Sequence, residues 1–85
     1  MTVTIRYFAS LREAVGMSLE QVALPAGVST AGQLQAWLRG RGPAWAEALA
    51  EGRAVRVAVD QVGGDAGTPV RDGSEVAYFP PVTGG

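Results

Sequence analysis

The chain has 85 residues, 47% apolar and 18% charged, with a formal net charge of −1. That suits one small globular domain and offers neither the basic excess that nucleic acid demands nor the ~20-residue apolar run that spans a bilayer. Cys, His and Lys are all absent, every one of the seven basic residues being Arg, which removes thiolate nucleophiles, imidazole bases, Schiff-base lysines and the commonest metal ligands.

Residues 3–8 alternate with period two and are rich in β-branched and aromatic side chains, which predicts a first strand. Val3, Ile5 and Tyr7 share one face; Thr4, Arg6 and Phe8 share the other, so Phe8 is expected on the more polar side. Ser10-Leu11-Arg12-Glu13 has the spacing of a capping box and predicts a short helix with Gly16 as its C′ residue. A second strand is expected over residues 17–24. Its core face is open, because Val22 and Leu24 point one way and Leu19 the other. Pro25-Ala26-Gly27 reads as a turn.

Thr30-Ala31-Gly32-Gln33 is a second capping-box pattern, followed by Leu34, Trp37 and Leu38 at amphipathic helical spacing. Gly40-Arg41-Gly42 breaks that helix, and Pro43 suits the first position of another, with Trp45, Ala48 and Leu49 as its stripe and Gly52 closing it. Both tryptophans are expected in the core, and Arg39 and Arg41 at a solvated helix end. Val55, Val57 and Val59 then alternate with Arg56, Ala58 and Asp60 as a half-buried strand. Residues 62–67 read as a loop, residues 68–70 as a short edge strand, and Asp72-Gly73 as a tight turn. Residues 75–79 form the last strand, stopped by Pro80-Pro81. The order predicts an α+β domain over residues 1–80, one sheet of four to five strands packed on helices, with residues 81–85 as an extended tail. The short link between the first two strands favours an antiparallel hairpin. Parallel pairing of the first and last strands at the sheet centre is one topology among several.

Nothing in Pro80-Pro81-Val82-Thr83-Gly84-Gly85 folds on itself. The prolines hold the chain extended, and the glycines allow it into a channel too narrow for side chains. Five residues beyond Pro80 reach about 17 Å. A C-terminal carboxylate becomes an acyl donor once adenylated. The ATP and Mg²⁺ for that step must come from a partner, because the chain has no P-loop pattern and no basic phosphate cradle. A sulfur nucleophile would then give a thiocarboxylate, and a lysine an isopeptide bond. Without Cys, a sulfur-carrying role falls to the C-terminus. The α-amino group of Met1 is the one primary amine.

Phe79-Pro80-Pro81-Val82-Thr83-Gly84-Gly85, with Asp72-Gly73-Ser74-Glu75-Val76-Ala77 before it and Tyr7-Phe8-Ala9-Ser10-Leu11-Arg12-Glu13 near the start, closely resembles the molybdopterin synthase small subunits. The resemblance spans the whole chain. It implies a ubiquitin-like β-grasp fold and a subunit that is not catalytic alone. An E1-like enzyme would adenylate Gly85, and a sulfurtransferase would supply sulfur for a Gly85 thiocarboxylate. The tail would then donate sulfur to cyclic pyranopterin monophosphate within a heterotetramer formed with the large synthase subunit. By position, Phe8 and Phe79 would contact partners, and Pro80, Pro81, Val82, Thr83 and Gly84 would line the partner's channel. Phe79 also admits a core reading. The segment at residues 62–65 departs from the resemblance, being glycine-rich where an apolar stretch is expected. No stably bound cofactor or metal is expected, and a cytoplasmic setting is the default for a start that lacks a signal-peptide n-region. A carrier for thiamine or cysteine synthesis, a ubiquitin-like modifier, and an inert binding domain are the alternatives.

Overall fold

A computed structural model of the chain describes residues 1–81. The elements in order are β1 (Thr2–Tyr7), α1 (Ala9–Val15), β2 (Leu19–Ala23), α2 (Ala31–Arg39), α3 (Pro43–Ala48), β3 (Arg56–Val59), β4 (Val62–Gly64) and β5 (Glu75–Phe79). The five strands form one mixed sheet in the order β2-β1-β5-β3-β4. β1 pairs antiparallel with β2, as the short link favoured, and parallel with β5, which selects one of the topologies that the sequence pattern left open. No helix of the described residues is long and apolar enough to cross a membrane.

Strand alternation decides which face is covered. Val3, Ile5 and Tyr7 of β1, Val57 and Val59 of β3, and Val76 and Tyr78 of β5 point to the same side and are buried. They meet Leu11 and Val15 of α1, Ala31, Leu34 and Leu38 of α2, and Ala48 and Leu49 at the end of α3. Burying a Leu or Val side chain in such a core stabilises by about 1.5–3 kcal/mol. Val22 and Leu24 pack against this core while Leu19 is exposed, which resolves the face of β2. Tyr78 crosses the layers, its hydroxyl donating to the Ala31 carbonyl oxygen at 2.8 Å.

Several local expectations shift. α1 starts one residue before Ser10, and its N-cap is Phe8, with no side-chain capping bond. The cause is the end of β1: the Phe8 amide still donates to the Tyr78 carbonyl, so the chain must turn at once. Ala9 takes φ +52 to do so, a left-handed conformation that costs a non-glycine residue on the order of 1 kcal/mol. Gly16 ends α1 in the left-handed region as expected, its amide bonding the Arg12 carbonyl. At α2, Thr30 Oγ1 accepts from the Gln33 amide, but Gln33 reaches back to the Ser29 amide rather than that of Thr30. α3 closes at Leu49, short of Gly52.

The segment expected to be a loop contains β4. Asp60 and Gln61 adopt φ +51 and +69, the two left-handed positions of a two-residue hairpin turn, and Val59 pairs with Val62 across it. Asp-Gln lacks the glycine that usually marks such a turn. Gly64 is required in β4, because a Cβ there would stand 2.5 Å from Thr68 Oγ1. The edge strand expected at residues 68–70 reduces to a single bridge between Thr30 and Pro69.

Arg41 is no solvated helix end. Its Nη1 lies 2.7 Å from both Glu20 carboxylate oxygens, and its guanidinium stacks 4.9 Å from the Trp45 ring and 5.6 Å from that of Trp37. Tyr7 donates to Glu20 at 2.8 Å and accepts from Trp45 Nε1 at 3.2 Å. This cluster ties β2 at the sheet edge to the link between α2 and α3. Trp45 packs against the core, but Trp37 is exposed. Arg39 donates to the Leu49 carbonyl. With the Glu20 side chain only 12% exposed, removing its cation leaves a largely desolvated charge. Arg41→Ala should therefore lower unfolding free energy by about 1–3 kcal/mol in a urea titration. A change below about 0.5 kcal/mol, the scale of an exposed pair, would contradict this reading.

Both buried phenols sit above their ordinary pKa. Tyr7 is raised by burial first and then by its bond to Glu20, and Tyr78 by burial and then by the neighbouring Tyr7. Raised phenols keep the folded chain protonated where the unfolded chain begins to ionise. Their stabilisation is complete below the unfolded value of about 10 and is lost as pH rises past it. The melting temperature should hold to about pH 9 and fall above about pH 10. Tyr78→Phe should flatten that alkaline decline and cost about 0.5–1.5 kcal/mol at neutral pH. An alkaline melting curve identical in the wild type and the variant would contradict the assignment.

Candidate functional site

The same alternation that fills the core leaves the other side of the sheet without a helix among the described residues. On it stand Arg6 from β1, Glu75, Ala77 and Phe79 from β5, and Ala58 from β3. Arg6, Ala77 and Ala58 lie in one cross-strand row, since Ala77 is the Cα partner of both others. Two adjacent alanines make this part of the sheet low. Around it rise Phe8 and Ala9 at the end of β1, Gln61 from the hairpin turn, and Phe79, Pro80 and Pro81. The result is an open, mainly apolar groove of about 720 Å³.

The structure brings together four of the residues singled out in the sequence. Phe8 is 43% exposed, and Phe79, Pro80 and Pro81 are half-buried; all four line this one groove. Phe79 faces away from Val76 and Tyr78, which settles it as a surface-groove residue and not a core one. The parallel pairing of β1 with β5 explains the meeting of Phe8 and Phe79: Tyr7 stands opposite Tyr78, so each phenylalanine is the next residue on. Val82, Thr83, Gly84 and Gly85 lie outside the described residues.

Arg6, Ala58 and Ala77 belong to the groove although the sequence had not singled them out. Their signal was present: each alternates with a core residue of its own strand. Arg6 holds its guanidinium 5.8 Å from the Phe8 ring centroid and 3.7 Å from Glu75 Oε2, giving the apolar groove a polar rim. That ion pair is exposed and contributes little to stability. A second groove of about 580 Å³ opens on the β3–β4 side of Phe79 and Pro81, lined in part by Ala54, Arg56, Gly63 and Gly64. The root of the tail therefore stands between two concave surfaces.

Such a surface suits docking. Cys, His and Lys are missing from the whole chain, and Glu75 is the acid that lines the apolar groove. An exposed apolar patch rimmed by polar groups is the usual mark of a protein-contact site. The groove should bind an apolar reporter dye, and Ala77→Asp, which puts a charge on its floor, should reduce the dye fluorescence severalfold. The melting temperature should shift by less than about 3 °C, because Ala77 is outside the core. Unchanged fluorescence in that variant would place the apolar surface elsewhere.

Comparison with known proteins agrees with this geometry. The chain is 39% identical over 83 residues to the molybdopterin synthase sulfur carrier subunit of Escherichia coli strain K12, covering 98% of this chain and 99% of that protein. It superposes on the putative molybdopterin converting factor subunit 1 of Pyrococcus furiosus with a TM-score of 0.77 and 26% identity, covering 96% and 99% of the two chains. The crystal structure of the small archaeal modifier protein SAMP1 of Haloferax volcanii gives a TM-score of 0.75 and 26% identity over the whole of both chains. These neighbours carry the ubiquitin-like β-grasp architecture seen here, and with the ThiS family profile matching residues 5–85, this chain belongs to the ThiS family.

Proposed function

We propose that this chain is the sulfur-carrying subunit of a molybdopterin synthase, with the Gly85 carboxyl group as the point of attachment. The observation that carries the reading is the apolar groove at the root of the tail, in a chain 39% identical over its length to a sulfur carrier subunit of that enzyme. The composition supports it: with no Cys, the chain has no thiol on which to hold persulfide sulfur.

The chemistry runs in three steps. An E1-like partner joins the Gly85 carboxylate to AMP, releasing pyrophosphate from ATP, with Mg²⁺ neutralising the phosphates on that enzyme. The outer sulfur of a sulfurtransferase persulfide then attacks the carbonyl carbon and displaces AMP, forming an acyl disulfide. A partner thiol cleaves its S–S bond, leaving the Gly85 thiocarboxylate and a disulfide between the partner sulfurs. The domain docks on the large synthase subunit through Phe8, Phe79 and the alanine floor. Residues 80–84 run into the partner's channel and deliver the sulfur to cyclic pyranopterin monophosphate. The groups that activate and use the tail all belong to partners.

Intact mass after incubation with ATP, a sulfur source and the activating enzyme tests this. The expected product carries one sulfur in place of one oxygen at the C-terminus. One residue added after Gly85 should abolish that product, and Phe79→Ala should weaken binding to the large subunit by roughly 10- to 100-fold, the scale of losing a buried aromatic contact. Synthase activity surviving the added residue would sink the proposal. The likeness to SAMP1 favours one second reading, a ubiquitin-like modifier, which predicts adducts on the lysines of other proteins in the same incubation. Sulfur loading without binding to the large subunit would point instead to a carrier for thiamine or cysteine synthesis.

A further inference from the structure

An activated C-terminal glycine threatens the protein that bears it. Any amine within reach attacks the acyl carbon intramolecularly, at an effective concentration in the millimolar range. Cations nevertheless stand on both sides of the tail root. Arg6 lines the groove with residues 79–81, and Arg56, the Cα partner of Phe79, lines the second groove with Phe79 and Pro81. Both are guanidinium groups, as are the other five basic residues. A guanidinium stays protonated in proteins and is no nucleophile, whereas a lysine amine is one once deprotonated.

The remaining amine is placed out of range by the topology. β1 and β5 run parallel with Tyr7 opposite Tyr78, so Met1 lies at the far end of the sheet from the tail. Eight residue steps at about 3.3 Å put its level about 26 Å behind that of Pro80. The five residues after Pro80 span about 17 Å at full extension. Antiparallel pairing of the two strands would instead have brought the start of the chain beside the tail.

We infer that the absence of lysine, together with the parallel β1–β5 pairing, makes this chain inert toward its own activated C-terminus, a carrier that is not its own acceptor. The inference rests on the proposed activation of Gly85, and it assigns a role to an amino-acid bias that the sulfur chemistry by itself leaves unused. The positions that most need to lack an amine are those beside the tail root. Ala54 and Arg56 are exposed there, and neither belongs to the core.

The test uses the full chain carrying a C-terminal thioester of a small thiol, prepared chemically so that no activating enzyme is involved. Wild type, Ala54→Lys, Arg56→Lys and Ala26→Lys are held at micromolar concentration and mildly alkaline pH, and intact mass is read. Attack of a lysine amine on the Gly85 carbonyl forms an amide, breaks the C–S bond and releases the thiol with the amine's proton. Arg56→Lys and Ala54→Lys should give this cyclised monomer in roughly 100-fold preference to cross-linked dimer, from the ratio of effective to actual concentration. Wild type and Ala26→Lys should give only hydrolysis, because Ala26 lies in the turn after β2, at the Met1 end of the sheet. Cyclised wild type, or no cyclisation in either near variant with its melting temperature intact, would overturn the inference. ATP-dependent pyrophosphate release with the activating enzyme separates the two claims. Its absence removes the proposed function, whereas the thioester result speaks only to geometry and nucleophiles.

Discussion

The parallel pairing of β1 with β5 at the centre of the sheet is the constraint on which the rest of the molecule depends. Through it Val3, Ile5 and Tyr7 lie beside Val76 and Tyr78, and together they form the floor of the core. The same register sets Phe8 next to Phe79 on leaving the sheet. A slip of either strand by one residue would turn that strand over relative to the sheet, exposing its core residues and burying Arg6 in β1 or Glu75 in β5. Core and groove are thus two faces of one register.

Packing on the two faces follows opposite rules. The helical face carries branched and aromatic side chains and excludes water, and among the described residues no buried side-chain polar atom lacks a partner. The open face is built low at its centre by Ala58 and Ala77 and high at its end by Phe8, Phe79 and the prolines. An open face of small residues contributes little to the stability of the monomer. Its distinctive property is shape, a low floor closed at one end by aromatic and proline side chains at the root of the tail. The positive φ of Ala9 belongs to the same arrangement, because the sharp turn lets β1 run its full length before α1 begins.

Much of the architecture was legible in the sequence because its causes are local. Period-two alternation located β1 and β3, Pro80-Pro81 located the end of β5, glycine located the end of α1, and Pro43 located the start of α3. The misses share a cause. β4 is held by its pairing with β3 across an Asp-Gln turn that carries no glycine, and its Gly-Gly composition reads as loop. The false capping box at Ser10 lost to the hydrogen bond that carries the β1–β5 ladder on to Phe8. Arg41 looked like a solvated residue because its partner Glu20 is 21 positions away, brought near only by the folding of β2 against the helices.

The sequence by itself set the chemical inventory, with no Cys, His or Lys and with Pro-Pro before Gly-Gly at the carboxyl end. It also determined which faces of β1 and β3 are apolar, since that follows from alternation along a single chain. Only the tertiary structure decided where those faces meet. It chose parallel pairing for β1 and β5, drew Phe8 and Phe79 into one groove, placed Phe79 outside the core, and set the Met1 end of the sheet opposite the tail. Those are relations between residues some 70 positions apart, and register between distant strands is settled by the packing of the whole core, not by any local pattern.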